Sequence, residues 1–84
     1  MSSSLRQIHV RFFAVLREQA GCSALEVSTA ANTPAELYAE LQTKHALTFP
    51  VSLLRVSINE RYAEMSTPLA AGDRVVFIPP VAGG

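Results

Sequence analysis

The sequence predicts an α+β domain in which one main helix covers one face of a mixed sheet. Three observations predict it. Ile8, Val10 and Phe12 alternate with His9 and Arg11 near the start, the period of a strand with one buried face. Arg74-Val75-Val76-Phe77-Ile78 is a nearly continuous apolar run near the end, the pattern of a central strand. Between them, Thr33-Pro34-Ala35-Glu36 opens a single well-marked helix. The chain has 84 residues, 49% hydrophobic and 17% charged. That suits one small globular domain with a thin core and leaves no room for a second one.

Each element follows in chain order. Ser2 to Ser4 read as a flexible start. The first strand begins at Ile8; alternation then breaks at Phe13, which faces outward beside Arg11 and His9. Ala14 to Ala20 holds good helix formers, and Gly21 is placed to end that short helix in the left-handed conformation. Leu25-Glu26-Val27-Ser28 alternates again, a second strand at a separation compatible with antiparallel pairing to the first. In the main helix Thr33 is the N-cap, Pro34 occupies the first turn, and Glu36 completes a capping box. Leu37 and Leu41 recur at helical spacing with Tyr38 nearby, so the helix runs from Pro34 to about Lys44. Lys44 and His45 suit the negative end of its dipole.

Pro50 marks a loop. Leu54, Val56 and Ile58 give a third strand, Asn59-Glu60-Arg61 a turn, and Tyr62-Ala63-Glu64 a short edge strand. Pro68 and Gly72-Asp73 punctuate the next connection. Pro79-Pro80 stops the last strand, because neither residue can donate to a ladder. The first and last strands are the most apolar, so they belong side by side in the centre. That order gives a ubiquitin-like β-grasp: a domain over 1–78 and an extended tail over 79–84.

Composition excludes several function classes. Seven Lys+Arg balance seven Asp+Glu, whereas a nucleic-acid binder needs a basic excess. No apolar run approaches the roughly 20 residues of a membrane span. The first residues show no apolar signal-peptide segment, so a soluble cytoplasmic protein is expected. A single cysteine, Cys22, precludes an internal disulfide framework and a cysteine-based zinc cluster. His9 and His45 lie on different elements without metal-ligand spacing, so no metal is expected. Cys22 has no neighbouring cation in sequence to lower its pKa. Gly21 and Gly72 are isolated turn glycines, not a phosphate-binding loop.

Chemistry is concentrated at the end, Pro79-Pro80-Val81-Ala82-Gly83-Gly84. The prolines stiffen the exit and project the tail from the body. Without Cβ atoms, the glycines can enter a narrow tunnel and lie against another protein's backbone. The α-carboxyl, with an ordinary pKa of about 3.3–3.7, is an anion at neutral pH and can attack the α-phosphate of ATP. The product, an acyl-adenylate, is open to displacement by sulfur.

Three segments resemble a known family: Val10-x-Phe12-Phe13-Ala14-x-x-Arg17-Glu18, Leu69-x-x-Gly72-Asp73-x-Val75, and the Pro-Pro-Val-Ala-Gly-Gly ending. They are similar to the sulfur-carrier (small) subunits of molybdopterin synthase, with likeness from Ile8 to Gly84. The resemblance implies that Gly84 is adenylated by an E1-like activating enzyme using ATP, with no cofactor bound to the carrier itself. A sulfur-donating protein then supplies the sulfur of a thiocarboxylate. Pro80, Val81, Ala82, Gly83 and Gly84 insert into the large subunit, where sulfur attacks cyclic pyranopterin monophosphate and two rounds build the molybdopterin dithiolene. It further implies a heterotetramer of two small and two large subunits, with the catalytic side chains on the large one. A sulfur carrier for thiamine or tRNA thiolation, a ubiquitin-like modifier of lysines, and an interaction domain with an inert tail remain alternatives.

Strand alternation adds a partner surface. Phe13, Tyr62, Val76 and Ile78 are expected to form one exposed apolar patch, because each faces away from the core side of its strand. Arg17, Asp73 and Arg74 admit two readings. Arg17 and Asp73 match the family segments and, with Arg74, can dock the activating enzyme; equally, Asp73 can shape the Gly-Asp turn and Arg17 pair at the surface.

Overall fold

A computed structural model describes residues 5–80 of the chain. Its elements are β1 (Arg6–Phe12), α1 (Ala14–Ala20), β2 (Ala24–Thr29), α2 (Pro34–His45), a 3-10 turn (Val51–Leu53), β3 (Arg55–Ile58), β4 (Arg61–Ala63) and β5 (Arg74–Ile78). The sheet order is β2-β1-β5-β3-β4. β1 pairs parallel with β5, from His9 opposite Arg74 to Phe12 opposite Phe77. The other three pairings are antiparallel. This is the expected β-grasp, with the first and last strands as central neighbours.

Register decides which side chains are buried. Ile8, Val10 and Phe12 of β1, Val56 of β3, and Val75 and Phe77 of β5 all face one side and are essentially inaccessible. Leu37, Tyr38 and Leu41 of α2 cover them, and Leu16 of α1 closes one end. Tyr38 is the largest buried side chain; its ring lies 5.2 Å from that of Phe77, tilted by 54°. Its hydroxyl donates to the Phe49 carbonyl at 2.8 Å, so the one polar atom it carries inward is satisfied. Among the described residues no helix covers the opposite face of the sheet. β5 is therefore apolar on both sides but covered on one only: Val76 and Ile78 stay half-buried.

The main helix starts as its sequence requires, with one difference. The Glu36 amide donates to Thr33 Oγ1 at 3.2 Å. The Glu36 carboxylate reaches back to the amide of Asn32 at 2.8 Å, one residue further than a standard capping box places it. The helix extends through His45 and ends at Ala46, which takes a left-handed φ of 56°. Val51–Leu53, in the loop that Pro50 marks, forms a short 3-10 turn between Pro50 and Leu54. β4 begins at Arg61 rather than Tyr62, because Asn59 and Glu60 alone form the turn, both with positive φ (54° and 72°). Two such residues make the tight turn whose twist suits a two-residue hairpin.

Two outcomes follow from this packing. Thr33→Ala removes the cap and is expected to cost about 1 kcal/mol, read as a fall in melting temperature of about 4–8 °C for a domain of this size. Burial raises the pKa of Tyr38. On alkaline titration the unfolded chain therefore ionises this phenol first, so its contribution to stability is intact below about pH 10 and declines above it. Urea denaturation from about pH 9 to about pH 11 should show a steeper alkaline loss in the parent than in Tyr38→Phe.

Candidate functional site

The last strand leaves the domain through an apolar groove of about 640 Å³. Phe13, Ala14, Val15, Phe49, Ile78, Pro79 and Pro80 line it. Phe13 caps α1 in an extended conformation (φ −125°, ψ 155°), so its ring faces away from the buried Phe12 and is 45% exposed. Ala14 then takes a left-handed φ of 53°, which swings the chain from strand to helix and sets Ala14 and Val15 in the groove wall. The Arg11 guanidinium carbon sits 5.9 Å from the Phe13 ring centroid, within cation–π range. Across the sheet, Phe12 pairs with Phe77, which brings Phe13 beside Ile78.

Phe49 is the wall that sequence reasoning missed. Tyr38 holds its carbonyl, and Gln19 of α1 grips the residue before it. The Gln19 carboxamide accepts from the Thr48 amide at 2.9 Å and donates to Thr48 Oγ1 at 3.0 Å. No periodic pattern marks this contact. The only sequence signal is an aromatic residue outside any element, next to Pro50.

The open face carries the other expected surface residues. Arg11, Val76, Ser57 and Tyr62 lie in one cross-strand row. Tyr62 is 78% exposed at the β4 edge, and Ser57 stands between it and Val76. The groove thus joins Phe13 and Ile78, while Tyr62 lies apart from them across a polar residue. The expectations for Val81, Ala82, Gly83 and Gly84 lie outside the described residues, as does the Ser-rich start.

Arg17, Asp73 and Arg74 do not come together. Arg17 is exposed on α1, near the exit end of the sheet, and forms no ion pair among the described residues. Asp73 and Arg74 lie at the other end of β5. Asp73 accepts from Asn59 Nδ2 at 2.9 Å and from the Ala70 amide at 2.8 Å, one bond to each carboxylate oxygen. Its backbone carbonyl accepts from the His9 amide at 3.0 Å. Asp73 therefore ties the β3–β4 turn and the 64–73 loop to the start of β5. Arg74 makes an exposed 3.4 Å ion pair with Glu60, a contact of small energy.

Elsewhere chemistry is sparse. His9 Nδ1 lies 3.2 Å from Glu26 Oε2 at the surface, and Cys22 is half-buried. Among the described residues no group of three or more His, Cys, Asp or Glu could hold a metal ion. No helix among them is long and apolar enough to cross a membrane.

Fold and site together define a class: a β-grasp domain whose central last strand ends at Pro79 and Pro80 beside an apolar groove. The chain belongs to the ThiS family, whose model matches residues 10–84. It is 36% identical over 80 residues to the molybdopterin synthase sulfur carrier subunit of Escherichia coli strain K12, covering 92% of this chain and 99% of that one. A solved protein–protein complex of subunits 1 and 2 of the molybdopterin-converting factor from Helicobacter pylori 26695 includes a similar chain. That likeness is 30% identity and a TM-score of 0.65, over 93% of this chain and 99% of that one. SAMP1 from Haloferax volcanii shares the fold at a TM-score of 0.75 and 24% identity, over 93% and 99% of the two chains.

The site separates structural from surface roles. Asp73→Ala removes two hydrogen bonds and is expected to lower stability by about 1–3 kcal/mol in thermal unfolding. Ile78→Glu places a charge at a half-buried groove position and is expected to cost about 1 kcal/mol, a fall of about 4–8 °C in melting temperature, with the domain still folded.

Proposed function

We propose that this chain carries sulfur for molybdopterin synthesis. The observation that carries the reading is the 36% identity to a molybdopterin synthase sulfur carrier subunit over nearly the whole of both chains. The body supports it: the central last strand leaves the sheet beside an apolar groove lined by Phe13, Ile78, Pro79 and Pro80.

In this reading the Gly84 carboxylate attacks the α-phosphorus of ATP on an E1-like enzyme, pyrophosphate leaves, and an acyl-adenylate forms. Sulfur from a donor protein displaces AMP and leaves a thiocarboxylate. The groove around Phe13 and Ile78 then docks on a large synthase subunit, and Pro80 to Gly84 reach into its active site. There the sulfur is transferred to cyclic pyranopterin monophosphate, in an assembly of two small and two large subunits. The H. pylori complex of two converting-factor subunits is the precedent for such pairing.

The test is a reconstituted synthase reaction containing the large subunit, the activating enzyme, ATP and a sulfide source. The parent chain should yield dithiolene product. A variant with residues added after Gly84 should fold with the parent's melting temperature and yield none. Product from that variant, with its extension shown intact by mass, would refute the reading. Ile78→Glu should weaken large-subunit binding by calorimetry by tenfold or more, about 1.4 kcal/mol; unchanged affinity contradicts the docking role of the groove.

A further inference from the structure

The open face of the sheet is divided by charge along its strands. Where β5 begins, cations meet carboxylates: His9 Nδ1 lies 3.2 Å from Glu26, and Arg74 lies 3.4 Å from Glu60. Toward the groove stand Arg11 and Arg55, both exposed. Arg11 sits opposite Val76 and Arg55 opposite Ile78. Each is flanked in sequence by residues buried toward α2, Val10 and Phe12 in one case, Leu54 and Val56 in the other, so alternation points both arginines to the open side. Neither forms an ion pair among the described residues. The guanidiniums that find oxygen partners there are those of Arg6 and Arg74. The seven carboxylates of the chain lie on the helices, in turns and loops, or at Glu26 on the edge strand.

An exposed arginine is ordinary; this pair has a particular setting. Arg11 lies over the Phe13 ring, 5.9 Å from its centroid. Stacking occupies the face of a guanidinium and leaves its in-plane N–H donors free, so the side chain is held while its donors stay open. Between the two arginines run Val76 and Ile78, half-buried and apolar. The arginines are two strands and two residue rows apart, a backbone separation of about 12 Å at about 4.8 Å per strand and about 3.3 Å per row. A partner that covers Phe13 and Ile78 therefore also strips water from both guanidiniums. A desolvated cation left without a counter-charge is costly, whereas a carboxylate meets the guanidinium fork with two parallel hydrogen bonds. We infer that Arg11 and Arg55 bind two carboxylates on the docking face of the large synthase subunit, one on each side of an apolar centre. This rests on the reading that a large subunit docks at the groove, and adds the chemistry of that subunit's face.

The test follows binding of the full chain to the large subunit by stopped-flow fluorescence at about 50 mM and about 500 mM NaCl, where screening differs strongly. Two double variants are compared with the parent: Arg11→Gln with Arg55→Gln, and Arg11→Lys with Arg55→Lys. Lys44→Gln, in the last turn of α2, is the control. All should melt within a few degrees of the parent, as surface substitutions do. At low salt the glutamine pair should associate at least about fivefold more slowly than the parent and lose most of the salt dependence. The lysine pair keeps the charge but not the fork. It should associate within about twofold of the parent and dissociate at least about threefold faster. Lys44→Gln should match the parent. If the parent binds and the glutamine pair matches its rates at both salts, this inference falls while groove docking stands. A parent that does not bind the large subunit overturns both. A lysine pair with the parent's dissociation rate contradicts bidentate carboxylate binding. A dimer of the chain in sedimentation that needs these arginines, or a single-stranded oligonucleotide held by them in place of the subunit, would assign the face to another occupant and overturn the inference.

Discussion

The structure depends on the parallel pairing of β1 with β5. It joins the two most apolar strands, placing Ile8, Val10 and Phe12 next to Val75 and Phe77 on the face that α2 covers. Because β5 is central, its far end leaves the domain from the middle of the sheet, and Phe13 at the end of β1 falls beside Ile78. The same pairing that fills the core therefore builds the groove at the tail's exit. A parallel pair needs a long crossover, and α1, β2, α2, β3 and β4 all belong to that crossover. The domain cannot lose its centre and keep its exit.

Rigidity and reactivity are divided along the chain. The body is held by close packing, a satisfied buried tyrosine and a turn knitted by Asp73 and Asn59. Among the described residues no buried side-chain nitrogen or oxygen lacks a hydrogen-bond partner. A carrier of this kind needs a stiff grip for its partners and one reactive end. The groove supplies apolar contact.

Much of this was legible in the sequence for physical reasons. Alternation fixes which residues of β1 and β5 face the core, and the Thr33-Pro34 start fixes α2, because caps and periodicity are local. Asp73 was legible as a turn residue; its bond to Asn59, fourteen positions away, was not. Phe49 was missed for a related reason. Its place depends on Gln19 gripping Thr48 across 29 positions and on the Tyr38 hydroxyl, contacts with no period to read. The separation of Tyr62 from the groove also depends on strand order, which puts Ser57 between Tyr62 and Val76. Residues 81–84, which carry the proposed chemistry, were read from sequence alone.

The central claim is that sulfur resides on Gly84. Intact-mass and peptide-level mass spectrometry of the untagged chain isolated from its own cells tests it most directly. The account predicts a fraction of molecules in which one oxygen is replaced by sulfur, with the change confined to the C-terminal peptide and with that sulfur taking up one alkyl group on treatment with an alkylating agent. Sulfur found only at Cys22, or a C-terminal peptide joined through Gly84 to lysines of other proteins with no thiocarboxylate form, would contradict it.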